Sequence, residues 1–156
     1  MPLGTVISPH DSWLVLRGLR TLEIRMDRIA QSTQKLISWL KKQDLVQSVI
    51  YPFDPSFAQF NLAKTQMRNA GGLFSVIYRI RTIEEMENLC DQMSKTFKLA
   101  VSWGGHESLQ IPTCTFYNID GVDPPSLPFN FVRYFIGLED PDYLIEAFQR
   151  AFDKLS

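Results

Sequence analysis

The sequence predicts an α/β (α+β) sandwich of about four strands with helices on one face. Three observations carry this. Leu73-Phe74-Ser75-Val76-Ile77-Tyr78 is apolar on both faces and rich in strand-forming residues. Thr82 with Glu85 forms a capping box, opening a stretch whose apolar positions Ile83, Met86, Leu89, Cys90 and Met93 recur at helical spacing. Phe129 to Ile136 reads as a last strand, and Asp140-Pro141 starts a final helix carrying Leu144, Phe148 and Leu155.

The first element is a long helix from about Asp11 to Lys42, after the start signal Ser8-Pro9. Val15, Leu19, Leu22, Met26, Ile29, Leu36 and Leu40 follow steps of four and three, with Thr33 the one polar residue on that stripe. A helix of about thirty residues exceeds what the core of a small domain can cover. It is expected to project, to bend near Gly18, or to connect to something outside this chain; the bland alternative is that the stripe packs within the domain or against a copy. The chain accordingly divides into residues 1–42, a linking segment with the long helix, and 43–156, a small domain.

Val49-Ile50-Tyr51 then reads as a short strand stopped by Pro52. Phe53-Asp54-Pro55-Ser56 is a turn, with Asp54 as a cap and Pro55 opening a helix that runs to about Asn69. Leu99-Ala100-Val101 is another strand, followed by a proline-rich, irregular section from Ile111 to Pro128.

Sixteen basic residues stand against seventeen acidic ones, for a net charge of −1, and no basic stripe is concentrated anywhere. Nucleic acid is therefore not expected as a partner. Cys90 and Cys114 make no metal-ligand or redox spacing with each other or with His10 and His106, so two reduced thiols and no metal site are expected. Met1-Pro2-Leu3-Gly4 lacks the basic start of a signal peptide, and no run approaches the ~18 apolar residues of a membrane span. The expectation is a soluble, cytoplasmic protein without a membrane partner.

Two segments carry the chemistry. Val132-Arg133-Tyr134-Phe135-Ile136 sets an arginine inside an apolar strand pattern, and Ser102-Trp103-Gly104-Gly105-His106-Glu107-Ser108-Leu109 is a strand end broken at a Gly-Gly pair. A guanidinium in such a setting needs an anionic partner, because burying it unpaired is very unfavourable. The partner is either a carboxylate of the fold, with Glu107 the nearest candidate, or the carboxylate of a ligand.

The order of four motifs resembles the C-terminal portion of the Cys/Met-metabolism family of pyridoxal-phosphate (PLP) enzymes, most closely its cystathionine β-lyase branch. They are Leu16-Arg17-Gly18-Leu19-Arg20-Thr21-Leu22, Gly71-Gly72-Leu73-Phe74-Ser75, Ser102 to Leu109, and Arg133 with Gly137-Leu138-Glu139-Asp140. The resemblance implies the small C-terminal domain of a fold-type I subunit, entered through a long linking helix. It implies that Arg133 binds the substrate's α-carboxylate, that Ser102 and Trp103 line the same pocket, and that Glu107 caps the Gly-Gly turn. For His106 it leaves a supporting position at the surface.

In that family the Schiff-base lysine, in a Ser-x-Thr-Lys setting, and the cofactor-binding residues belong to a large domain. Lys35, Lys41, Lys42, Lys64, Lys95, Lys98 and Lys154 do not match that setting, and Ser32-Thr33-Gln34-Lys35 has the wrong spacing in mid-helix. The resemblance therefore implies no catalytic residue here, no PLP bound by this chain alone, and a carbon–sulfur lyase reaction only with a large domain and an amino-acid substrate, in a homo-oligomer. Phe135, and Gln110 to Tyr117, depart from the family's usual pattern and leave the sulfur amino acid unspecified. The competing expectation is a stand-alone, non-catalytic domain that binds an amino acid or a partner protein, or self-associates through the stripe of its first helix.

Overall fold

The computed structural model describes residues 6–155; Met1-Pro2-Leu3-Gly4, expected not to form a leader, lies outside them. Among the described residues five strands build one sheet rather than about four: β1 (Val46–Ile50), β2 (Leu73–Tyr78), β3 (Lys98–Leu99), β4 (Leu109–Pro112) and β5 (Phe131–Phe135). Their order is β1-β2-β5-β4-β3, antiparallel throughout except for the parallel pair of β3 and β4. The unforeseen strand is β4, which claims Ile111 and Pro112 from the section expected to be irregular. Its side chains alternate too briefly for a pattern to register, and pairing with β5 is what makes it a strand.

Among the described residues five α-helices accompany the sheet: α1 (Pro9–Leu19), α2 (Leu22–Leu40), α3 (Phe60–Gln66), α4 (Ile83–Met93) and α5 (Pro141–Asp153). The single long helix expected at the start is two. The break falls at Arg20-Thr21, where the Gly18 carbonyl accepts from the Thr21 N–H and hydroxyl, both at 3.3 Å, and from Arg25 Nη2 at 3.0 Å. The stripe divides further on, within α2 between Met26 and Ile29. Ile29, Leu36 and Leu40 are buried, whereas Val15, Leu19, Leu22 and Met26 are exposed and α1 buries nothing. Among the described residues, no helix is long and apolar enough to cross a membrane.

The helix expected from Pro55 begins only at Phe60. Asp54 is not its cap. Its Oδ1 accepts from the Ser56 N–H at 2.9 Å and the Ser56 hydroxyl at 2.6 Å, closing a tight turn, while Oδ2 meets Lys41 Nζ at 2.6 Å. The other helix starts agree with expectation. Ser8, Thr82 and Asp140 each accept a backbone N–H of their own first turn.

One face of the sheet holds the main core. Phe74, Val76 and Tyr78 of β2 and Val132 and Tyr134 of β5 pack beneath the C-terminal half of α2, α4 and α5. Phe148 of α5 sits at the centre, its ring centroid 5.0 Å from that of Phe97 and 5.2 Å from that of Tyr134. Cys90 and Cys114 are free and buried in the same core.

Alternation sends the remaining strand residues to the opposite face. Register places Ile50, Ser75, Arg133 and Ile111 in one row across four strands. A small cluster of Ile29, Leu109 and Phe135, with Leu73, Ala100 and Leu138 against it, closes one end of that face.

Candidate functional site

Arg133 stands in the middle of β5 on this second face, half-buried. Its Nη2 donates to the Val101 carbonyl, and its guanidinium carbon lies 4.5 Å from the centre of the Trp103 ring. Among the described residues no carboxylate pairs with it. No internal salt bridge to Glu107 or another acid forms there; the Glu107 carboxylate instead lies 3.1 Å from His106 Nδ1.

Trp103 is 53% exposed, so it is no core residue; its contact is the cation. Ser102 is also exposed, and among the described residues its side chain has no hydrogen-bond partner. The structure thus brings Arg133 and Trp103 together and leaves Ser102 beside them through the chain alone. His106 is exposed, as expected.

The sheet topology explains how Trp103 reaches Arg133. Parallel neighbours cannot be joined by a hairpin, and β3 and β4 are joined without a helix. The chain must leave the sheet edge after Leu99 and return at Leu109, and this excursion carries Trp103 to Arg133. Beside the ring lies a hollow of about 310 Å³ whose walls include Leu22, Arg25, Met26, Gly72 and Phe135. Gly72 permits the close approach there, since a Cβ would come 2.6 Å from the Ile136 carbonyl oxygen and 2.7 Å from Ile29 Cγ2.

The excursion is anchored by residues that the sequence did not single out for it. Ser108 is fully buried, and the Glu139 carboxylate holds both its N–H and its hydroxyl. The turn-capping part had been expected of Glu107. That side chain does fold over Gly105, where a Cβ would come 2.7 Å from Oε2, yet among the described residues it accepts no backbone N–H from the Gly-Gly pair. A lone serine after a Gly-Gly break, directly preceding an apolar strand residue, was the available signal.

The arrangement suits a planar anion. One side of the guanidinium rests on an aromatic ring, one hydrogen bond fixes its rotation, and its other donors have no acceptor among the described residues. A carboxylate fits such a fork with two parallel hydrogen bonds. Among the described residues no group of three or more His, Cys, Asp or Glu could hold a metal ion.

Comparison with known proteins agrees with this architecture. The family model for Cys/Met-metabolism PLP-dependent enzymes matches residues 1–153. A cystathionine β-lyase of Coxiella burnetii is 43% identical over 141 residues, covering 88% of this chain and 36% of that protein. An L-alanine/L-glutamate racemase of Wolbachia pipientis is 36% identical over 153 residues, covering 97% of this chain and 38% of that protein. Among solved structures, an O-acetylhomoserine (thiol)-lyase of Campylobacter jejuni superposes with a TM-score of 0.78 at 30% identity, over 97% of this chain and 34% of the other. The chain spans well under half the length of the relatives it matches.

Proposed function

The chain belongs to the Cys/Met-metabolism family of PLP-dependent enzymes, and on that footing we propose that it is the substrate-carboxylate-binding C-terminal domain of a carbon–sulfur lyase most like cystathionine β-lyase. The observation that carries this is the Arg133 fork, its guanidinium carbon 4.5 Å from the centre of the Trp103 ring and with no carboxylate of the described residues upon it. The racemase among the relatives fits the same reading. Racemisation and carbon–sulfur cleavage differ at the side chain but both act on an amino acid, so a grip on the α-carboxylate serves either. Arg133 orients the substrate about its Cα, Trp103 keeps the guanidinium in plane, and Ser102 adds a polar edge.

PLP, when bound, supplies the electron sink of this chemistry. We infer that the described residues do not hold it, and the surroundings of four of the seven lysines support this. Lys35 pairs with Asp142 at 2.6 Å, Lys41 with Asp54 at 2.6 Å, Lys154 donates to Gln92, and Lys64 lies over the Phe60 ring. No lysine lines the hollow beside Trp103. We therefore assign the cofactor to a large domain outside this chain, and infer no turnover by the chain alone. The exposed stripe of α1 and the start of α2 supports burial against that domain in a homo-oligomer.

Two measurements test the reading. In titrations followed by the NMR signals of Arg133 Nε–H and the Trp103 indole N–H, L-alanine should shift both saturably and ethylamine should not. Absence of any carboxylate response would overturn Arg133 as the ligand. Titration with PLP, borohydride trapping and intact-mass analysis should give no stoichiometric adduct. A single lysine adduct with pyruvate released from cystathionine would overturn the assignment of the cofactor to another domain.

A further inference from the structure

Residues Val101 to Glu107 are exposed throughout, and near Trp103 the excursion is tied to Arg133 itself, through the Val101 carbonyl and through the ring. Its far end is fixed by one compact set of bonds. The Ser108 N–H donates to Glu139 Oε1 at 2.7 Å, the Ser108 hydroxyl donates to Oε2 at 2.8 Å, and that hydroxyl accepts from the Gly137 N–H at 3.0 Å. The Leu138 N–H donates to the His106 carbonyl at 2.8 Å. Gly137 must lack a side chain, because a Cβ there would overlap that same carbonyl oxygen.

Among the described residues Glu139 pairs with no cation; both its oxygens are turned on one serine. Gly137, Leu138 and Glu139 follow β5, the strand that carries Arg133, after the single residue Ile136. The clamp therefore references the loop to the backbone that also sets the guanidinium.

We infer that Glu139 is a positioning residue of the carboxylate pocket, acting through Ser108 to hold Trp103 against Arg133; only its effect on ligand binding rests on the function proposed above. The residue type follows from the chemistry. A carboxylate offers two acceptors to the adjacent N–H and O–H of one serine. Glutamine keeps one acceptor for the N–H and should keep most of the geometry. Alanine leaves the buried Ser108 N–H and hydroxyl without their acceptors.

The test uses the chain itself with Glu139→Ala and Glu139→Gln. Trp103 should shift the Arg133 side-chain protons upfield in the parent chain by its ring current. In Glu139→Ala that shift should collapse and the apparent Kd for L-alanine should rise about tenfold, the loss of one ordinary charge-assisted hydrogen bond. Glu139→Gln should change the Kd by less than about threefold, and the methyl signals of Val76 and Leu144 on the helix face should stay in place in both variants. An unaltered Arg133 shift in Glu139→Ala would overturn the inference. So would equal loss in both variants accompanied by moved Val76 and Leu144 signals, which would mark a general role in folding. If the parent chain shows the ring-current shift yet binds no L-alanine, the proposed function falls and the Arg133 shift alone decides the role of Glu139.

Discussion

The hydroxyl of Tyr78 lies 2.8 Å from that of Tyr134, and the two rings stand on neighbouring strands at the centre of the core with no exposure to solvent. Each oxygen satisfies the other where water cannot reach, and burial pushes both phenols above their ordinary pKa. Tyr134→Phe should destabilise the chain by about 2 kcal/mol, since it strands the Tyr78 hydroxyl, while the double Phe variant should recover about half of that loss. Urea unfolding of the two single variants and the double variant closes the cycle. Additive losses would show that the hydroxyls do not depend on each other.

At Arg133 the planar fork should matter more than the charge. Arg133→Lys is expected to weaken L-alanine binding about tenfold, and Arg133→Ala to remove the response within the accessible concentration range. Trp103→Phe keeps a ring beneath the cation and should lose less than Trp103→Ala. NMR titration of the four variants checks the order, and equal affinity of the lysine variant would contradict bidentate docking.

Gly137→Ala should destabilise the fold by about 3 kcal/mol, because the added methyl group meets the His106 carbonyl and the Glu139 carboxylate in a packed corner. Chemical denaturation measures the loss. Gly18→Ala is the control: a Cβ there meets nothing, and the change should leave stability within about 1 kcal/mol.

Asp54 gives the chain an acid-sensitive element. Burial pushes its carboxyl up, but hydrogen bonds from Lys41 and from the Ser56 hydroxyl and N–H, with the charge of Lys41, together hold it below the ordinary carboxylate value. A depressed folded-state pKa means the stabilisation is complete above the unfolded value of about 3.9 and fades as pH falls through the folded one. Asp54→Asn should lower the thermal midpoint at pH 7 and make it less dependent on pH between about 5 and 2. Parallel midpoint curves for the two chains would show that Asp54 is not the titrating group.

Legibility tracked the range of the interactions involved. The strand Leu73–Tyr78, the capping box at Thr82 and the start of α5 at Asp140-Pro141 were readable because their signals lie within a few residues of one another. β4 and the late start of α3 were not. β4 exists through its pairing with β5, and the segment before α3 follows Asp54, which is drawn to Lys41 thirteen residues away. The split of the first helix was half legible. Gly18 marks the region, but the capture of its carbonyl by Thr21 and Arg25 is what stops α1.

The candidate site divides in the same way. By itself the sequence determined that Arg133 would sit within a strand and that a Gly-Gly break would follow Ser102-Trp103, since both depend on local pattern and motif order. Only the tertiary structure decided that Trp103 would lie against the guanidinium, that no described carboxylate would take the fork, and that Glu139 rather than Glu107 would hold the loop. Arg133 and Trp103 are thirty residues apart, and Ser108 and Glu139 thirty-one. Contacts at that separation are set by strand order and crossover, β5 beside β4 with β3 parallel at the edge, and no local periodicity encodes that order.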